Sequence, residues 1–221
     1  MLNLASACKI DVPEHAVKKV GGKDALLVKR FDRTATPNGI LKHRAASAAT
    51  VFRADEAYFR SVDSGSYMQL SREFSRWCNN VRRDRHQLFR RMAFNCLTGI
   101  TDDHERNHAL VAEDAHFELA PAYDLSPPLP TMRRRQQALL IGDEGAEATR
   151  RNLLSGCDQF DLSQSQAEKI IDDVKQKLIR QWKAKFAARK ISQHDTKIMA
   201  ACFDHEFFES GRPSDPRGPR R

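Results

Sequence analysis

Residues 95–127, NCLTGITDDHERNHALVAEDAHFELAPAYDLSP, place an acid cluster, Thr101-Asp102-Asp103-His104, ahead of Asn107 and a second acid, Asp124. Two acids and an amide are hard oxygen donors. They suit Mg²⁺, which keeps several waters and is held by one or two carboxylates together with substrate phosphates. In phosphoryl transfer one acid orients or deprotonates the attacking hydroxyl, and a separate acid and an Asn five residues beyond the base hold the metal. Asp102 and Asn107 are five residues apart. Between Asn107 and Asp124 lie two short apolar runs, 108–112 and 117–120. The pattern predicts a helix, a polar loop, a hairpin and a second loop. Because a hairpin returns the chain to its start, Asp124 is expected beside Asp102 and Asn107. The same spacing also occurs in ordinary surface loops.

The wording is more specific than the spacing. TDDHERN followed by APAYDLSP resembles the catalytic and metal-binding loops of the HipA family of serine/threonine kinases, whose pattern is roughly TDxHxKN, a strand pair, then PxYDL. Upstream, residues 27–33 (LVKRFDR) resemble the family's VERFDR segment, which links the two lobes and contacts adenine. Downstream, residues 137–154 and the helical end are similar to the family's C-terminal domain. The resemblance covers residues 1 to about 205.

What it implies, residue by residue, is Asp102 as catalytic base, Asn107 and Asp124 as Mg²⁺ ligands, and Tyr123 as a wall beside adenine. Lys29 and Phe31 would offer backbone groups to the adenine edge. Arg106 stands where the family often has Lys and keeps a positive charge near the transferred phosphate. Lys29 stands where the family often has Glu. Asp103, at a variable family position, is expected to face solvent. His104 is a residue that shapes the loop, or, as the commonest general base, a rival to Asp102.

The elements that must position these residues read as follows. A short helix over 2–10 ends at Asp11-Val12-Pro13. Segments 16–20 and 25–31 form a hairpin about Gly21-Gly22. Residues 33–57 read as polar and irregular, with a turn at Pro37-Asn38-Gly39. A helix over 68–79 places Leu70, Phe74 and Trp77 on one face. Phe89, Met92, Ala93, Cys96, Leu97 and Ile100 define the amphipathic helix that delivers the catalytic loop. Arg82, Arg83, Arg85, Arg90 and Arg91 lie near its start, where they oppose the helix dipole; they suit either a solvated basic patch or a face toward phosphate or an acidic partner.

Residues 126–130 are too rich in proline for helix or ladder. Arg133, Arg134 and Arg135 follow, either solvated or docking an acidic surface or RNA. A short strand is expected over 138–141. Beyond it come helices over 147–156, after Ser163 with Ile171, Val174, Leu178, Trp182 and Phe186 on one face, and after Ser192.

Apolar residues are 40% and charged residues 30% of the 221, which predicts a packed soluble core. No apolar run is long enough for a membrane span, and the N-terminus lacks the pattern of a secretory signal, so cytoplasm and no membrane partner are expected. Five scattered cysteines without CxxC spacing read as small buried hydrophobes and make structural zinc improbable. A formal net charge of +8 and a pI near 9.4 suit an acidic partner, and leave direct nucleic-acid binding open. Part of the excess lies in a proline- and arginine-rich tail.

The fold expected is α+β and mainly α-helical, a protein-kinase-like large lobe with a remnant of the small lobe. Residues 1–32 would be small-lobe remnant and hinge, 33–205 the HipA-like catalytic lobe, and 206–221 a disordered basic tail. A kinase also needs a phosphate-covering loop and a strand lysine. Neither is found ahead of the first helix. A companion small-lobe polypeptide, a misplaced start or decay would each account for this. The resemblance implies ATP and Mg²⁺ as cofactors, a HipB-type antitoxin as partner and an aminoacyl-tRNA synthetase as protein substrate. Two other readings stand beside it: a non-enzymatic module binding an antitoxin or a nucleic-acid complex, and a metal-dependent hydrolase using His104.

Overall fold

The computed structural model describes residues 1–53, 65–112, 115–127, 136–203 and 205–210. A short helix, α1 (Leu2–Ala7), leads into the hairpin of β1 (His15–Val20) and β2 (Lys23–Val28). Gly21 and Gly22 both take positive φ, 57° and 78°, as a two-residue turn between right-twisted strands demands. The register pairs Val17 with Leu26 and Val20 with Lys23.

Residues 33–57, expected to be irregular, instead hold a second hairpin, β3 (Arg33–Thr36) and β4 (Gly39–Lys42). They continue into β5 (Arg44–Ser47) and the short helix α2 (Ala48–Val51), capped by the Ser47 hydroxyl. Four-residue strands carry too little periodicity to read, and β5 is made by pairing with β6 (Ala109–Ala112), more than sixty residues away in the chain. β6 also pairs with β7 (Glu118–Leu119), so the expected hairpin before Asp124 is present as part of a three-stranded sheet.

α3 (Tyr67–Trp77) starts at the Ser66 cap. Leu70 and Phe74 are buried, but Trp77 is 43% exposed, against expectation. Its ring meets Phe117 edge-on and its N–H donates to Glu73. α4 (Val81–Thr98) is the central helix. From Leu88 onward it is buried at nearly every position, and it stops where Gly99 takes the left-handed C-cap, φ 67°. A helix buried on all sides must sit between layers: α3 and α6 (Gln164–Ala188) pack against it, and β7 lies alongside.

No named strand covers 138–141; Leu140 makes a single bridge to Ser66, and Gly142 one to Gly145. A Cβ at Gly142 would lie 2.1 Å from the Asn152 carbonyl oxygen, so only glycine permits this crossing. α5 (Arg150–Ser155) follows the Thr149 cap. α6 opens with a reciprocal capping box between Ser163 and Gln166 and buries the predicted stripe from Ile171 to Phe186. α7 (Gln193–Met199) is capped by Ser192 but buries nothing. The turn after it buries Cys202 and Phe203, with Phe203 stacked on Trp182 at 4.7 Å. Glu206–Ser210 forms α8, and Phe208 is fully buried, so helical order continues past the expected tail boundary at 206. Among the described residues no helix is long and apolar enough to cross a membrane.

Candidate active site

The first loop leaves α4 at Gly99 and runs without helix through 101–104 before one turn of 3-10 helix, Glu105–Asn107. That turn is closed by the Asn107 N–H donating to the His104 carbonyl at 2.9 Å. The Asn107 side chain is buried, and its Nδ2 donates to the Asp102 carbonyl at 2.9 Å. The amide nitrogen is thereby committed and the amide oxygen remains as a ligand atom. Asp102 and Arg106 are exposed. His104 is half-buried, and its Nδ1 has no hydrogen-bond partner.

Asp103 overturns its expectation. It is 3% exposed and accepts hydrogen bonds from the Tyr67 hydroxyl, from Asn95 Nδ2 at 2.8 Å and from His108 Nε2 at 2.9 Å. Burial alone would raise its pKa; the charge on His108 and the three donors outweigh it and hold the carboxyl below its ordinary value. Glu105 is buried too and accepts from the Gly65 N–H at 3.0 Å.

The second loop, 120–124, is tied to several neighbours. Arg91 Nη2 donates to the Ala120 carbonyl at 2.6 Å, the Ala122 N–H donates to the Asp11 carbonyl at 2.7 Å, and the Tyr123 hydroxyl donates to the Arg106 carbonyl at 2.7 Å. The last bond joins the two loops directly and brings Asp124 to the same end of α4 as Asp102. Asp124 takes a left-handed backbone, φ 54°, which costs a non-glycine residue about 1 kcal/mol or more. Burial pushes the Tyr123 phenol up to about 12 and draws the Arg91 guanidinium down to about 10.

Tyr123 and Asp124 line a cleft of about 740 Å³ whose opposite wall is the β1–β2 face bearing Val17, Leu26 and Val28. Phe31 packs on Tyr123 with ring centroids 5.5 Å apart. Lys29 and Phe31 themselves line a smaller hollow with Val111 and Pro121. The Lys29 N–H is already donated to the Glu14 carbonyl at 2.8 Å, and its ammonium pairs with Glu14. Asp32, which spacing alone did not single out, locks this linker: Arg30 and then Arg33 hold its carboxyl well below the usual range. Arg133, Arg134 and Arg135 lie outside the described residues.

Of the arginines at the start of α4, Arg82 is exposed, while the others find partners within the chain. Arg83 pairs with Asp11, Asp84 and Glu118, Arg85 with Asp161, and Arg90 with Asp173. Among the described residues no three His, Cys, Asp or Glu side chains are grouped to hold a metal. One carboxylate and one amide oxygen on adjoining loops nevertheless fit an ion that takes its other ligands from water and phosphate.

The model of the HipA-like C-terminal domain matches residues 1–182. The chain belongs to this family. A curated relative, the kinase-named protein Y4dM of Sinorhizobium fredii, is 26% identical over 215 residues, covering 86% of this chain and 47% of that one. The chain thus spans about half the length of the curated relative it matches. Among solved structures, HipA of Shewanella oneidensis, in its complex with HipB and operator DNA, superposes with a TM-score of 0.67 at 19% identity, covering 91% of this chain and 53% of that one. The proinflammatory kinase CtkA of Helicobacter pylori gives a TM-score of 0.58 at 10% identity, covering 93% and 80%. These neighbours share the mixed α+β, kinase-like fold, which is the architecture expected from the sequence.

Proposed function

We propose that the chain is the large lobe of a serine/threonine protein kinase of HipA toxin type, which transfers the γ-phosphate of Mg-ATP to a protein hydroxyl. The observation that carries this reading is the junction of the two loops: Tyr123 bonded to the Arg106 carbonyl and Asn107 bonded to the Asp102 carbonyl. It joins the loop that carries a base candidate and an amide to the loop that carries a second acid. Asp102 accepts the proton of the attacking hydroxyl as its oxygen bonds to phosphorus; the β–γ bridging oxygen leaves with ADP. Asn107 and Asp124 hold Mg²⁺, which when bound neutralises the developing phosphate charge. Arg106 adds a positive charge beside the transferred group. Tyr123 walls the adenine side, and the Lys29 carbonyl and Phe31 backbone face its edge. Arg133, Arg134 and Arg135 dock the protein substrate.

The partners proposed are a separate small-lobe polypeptide, an antitoxin of HipB type and, from family resemblance alone, an aminoacyl-tRNA synthetase as substrate. The place of action proposed is the cytoplasm. The need for a small lobe is supported by the β1–β2 hairpin, where Val20 is 61% and Leu26 58% exposed. Two strands alone are marginal in water. The same openness favours a second reading, a binding module that engages an antitoxin or a nucleic-acid complex without turnover. Incubation with γ-labelled ATP and candidate proteins decides between them. Label transfer that is lost in Asp102→Asn supports the kinase; a folded chain that binds a HipB-type protein but transfers no label supports the module.

A further inference from the structure

Adjacent acids in the first loop face opposite ways. Asp102 is exposed and Asp103 is buried. Residues 101–104 lie outside any helix or turn, and His104, at φ −101° and ψ 177°, is extended; successive side chains of an extended segment alternate in direction. Whatever fixes Asp103 inward therefore fixes Asp102 outward. All three donors to Asp103 converge on a single oxygen, Oδ2, and they come from three separate places: Tyr67 at the start of α3, Asn95 on α4, and His108 leading into β6. The Tyr67 and His108 rings also meet edge-on at 5.5 Å, and the His108 carbonyl takes the Ala48 N–H at 2.8 Å, tying in α2. A buried carboxylate is costly unless its hydrogen bonds are made. Asp103 is thus stable only where these three donors meet, which fixes one position for the loop.

We infer that Asp103 is a positioning residue: anchored by Tyr67, Asn95 and His108, it aims Asp102 at the acceptor hydroxyl. The inference rests on the kinase reading for what Asp102 does, and on the geometry alone for how it is held. Asp103→Asn keeps an acceptor oxygen and loses the charge; Asp103→Ala loses both.

Two measurements on the 221-residue chain test it. Hydrogen exchange over 101–108 is expected to quicken by about tenfold or more in Asp103→Ala, less in Asp103→Asn, with α4 unchanged. Label transfer is expected to lose about 100-fold in kcat in the alanine variant, with KM for ATP within about twofold and partial recovery in the asparagine variant. A merely structural role would not give that split. Unchanged exchange in the loop, or equal loss in kcat and in ATP affinity, overturns the inference. Should the alanine variant not fold, Tyr67→Phe removes one donor and is read in the same way. Absence of transfer by the wild-type chain with its small-lobe partner supplied would count against the kinase reading, while the exchange data would still decide the role of Asp103.

Discussion

Asn107 does two things with one amide. Its nitrogen holds the Asp102 carbonyl and, in the proposed kinase, its oxygen takes the metal, so Asn107→Ala is expected to weaken Mg²⁺-dependent nucleotide binding by about tenfold or more while costing about 1 kcal/mol of stability; titration with and without Mg²⁺, alongside urea unfolding, checks both. Tyr67→Phe removes a hydrogen bond to a buried carboxylate and is expected to cost about 1.5–3 kcal/mol, read as a lower denaturant midpoint at unchanged slope. That the loops carrying Asp102, Asn107 and Asp124 adjoin was legible in the sequence, because the hairpin between them survives in one dimension. Asp103 was not. Its direction is set by donors from residue 67, residue 95 and residue 108, which no local pattern brings together, so an acid at a variable family position looked solvent-facing.

At the scale of elements, α4 spans the site. Arg91 and Asn95, four residues apart, share one face of the helix. Asn95 holds the first loop through Asp103, and Arg91 holds the second through the Ala120 carbonyl. One turn of helix therefore sets the separation between Asp102 and Asp124. Arg91 is 2% exposed, and its Nε has no partner. Arg91→Met, similar in length and apolar, is expected to change stability by less than about 1.5 kcal/mol. It is nevertheless expected to lower the affinity for Mg-ATP about tenfold; equal affinity would show that the second loop is held without it. The amphipathic pattern of α4 was readable, and so was its basic start. What the arginines were for was not, because their acids come from residues 11, 118, 161 and 173. Residues 33–57 were misread for a related reason: β5 exists only through β6.

Across the whole molecule two features have measurable consequences. On the β1–β2 hairpin, Val20 and Leu27, which point to one face, are 61% and 46% exposed, so the isolated chain is expected to self-associate as its concentration rises. Leu27→Lys with Val20→Lys should reduce that association without lowering the unfolding midpoint, as sedimentation and melting would show. Far from it, Arg150 and Lys175 fasten Glu209, while Arg90 and Lys177 fasten Asp173. Burial would raise both carboxyls, but their cationic partners hold them below their ordinary values. A depressed folded pKa contributes stability above the unfolded value, near 4, and loses it as pH falls through the folded one. The melting temperature is expected to fall below about pH 4, and Arg150→Met to flatten the Glu209 share of that fall.

The central claim, a nucleotide site built by these two loops around Mg²⁺, is tested most directly by calorimetric titration of ATP into the 221-residue chain with and without Mg²⁺, beside Asp124→Ala. The account predicts Mg²⁺-dependent binding that the variant loses by about tenfold or more. Equal affinity in the folded variant, or no binding by the folded wild-type chain, would contradict it.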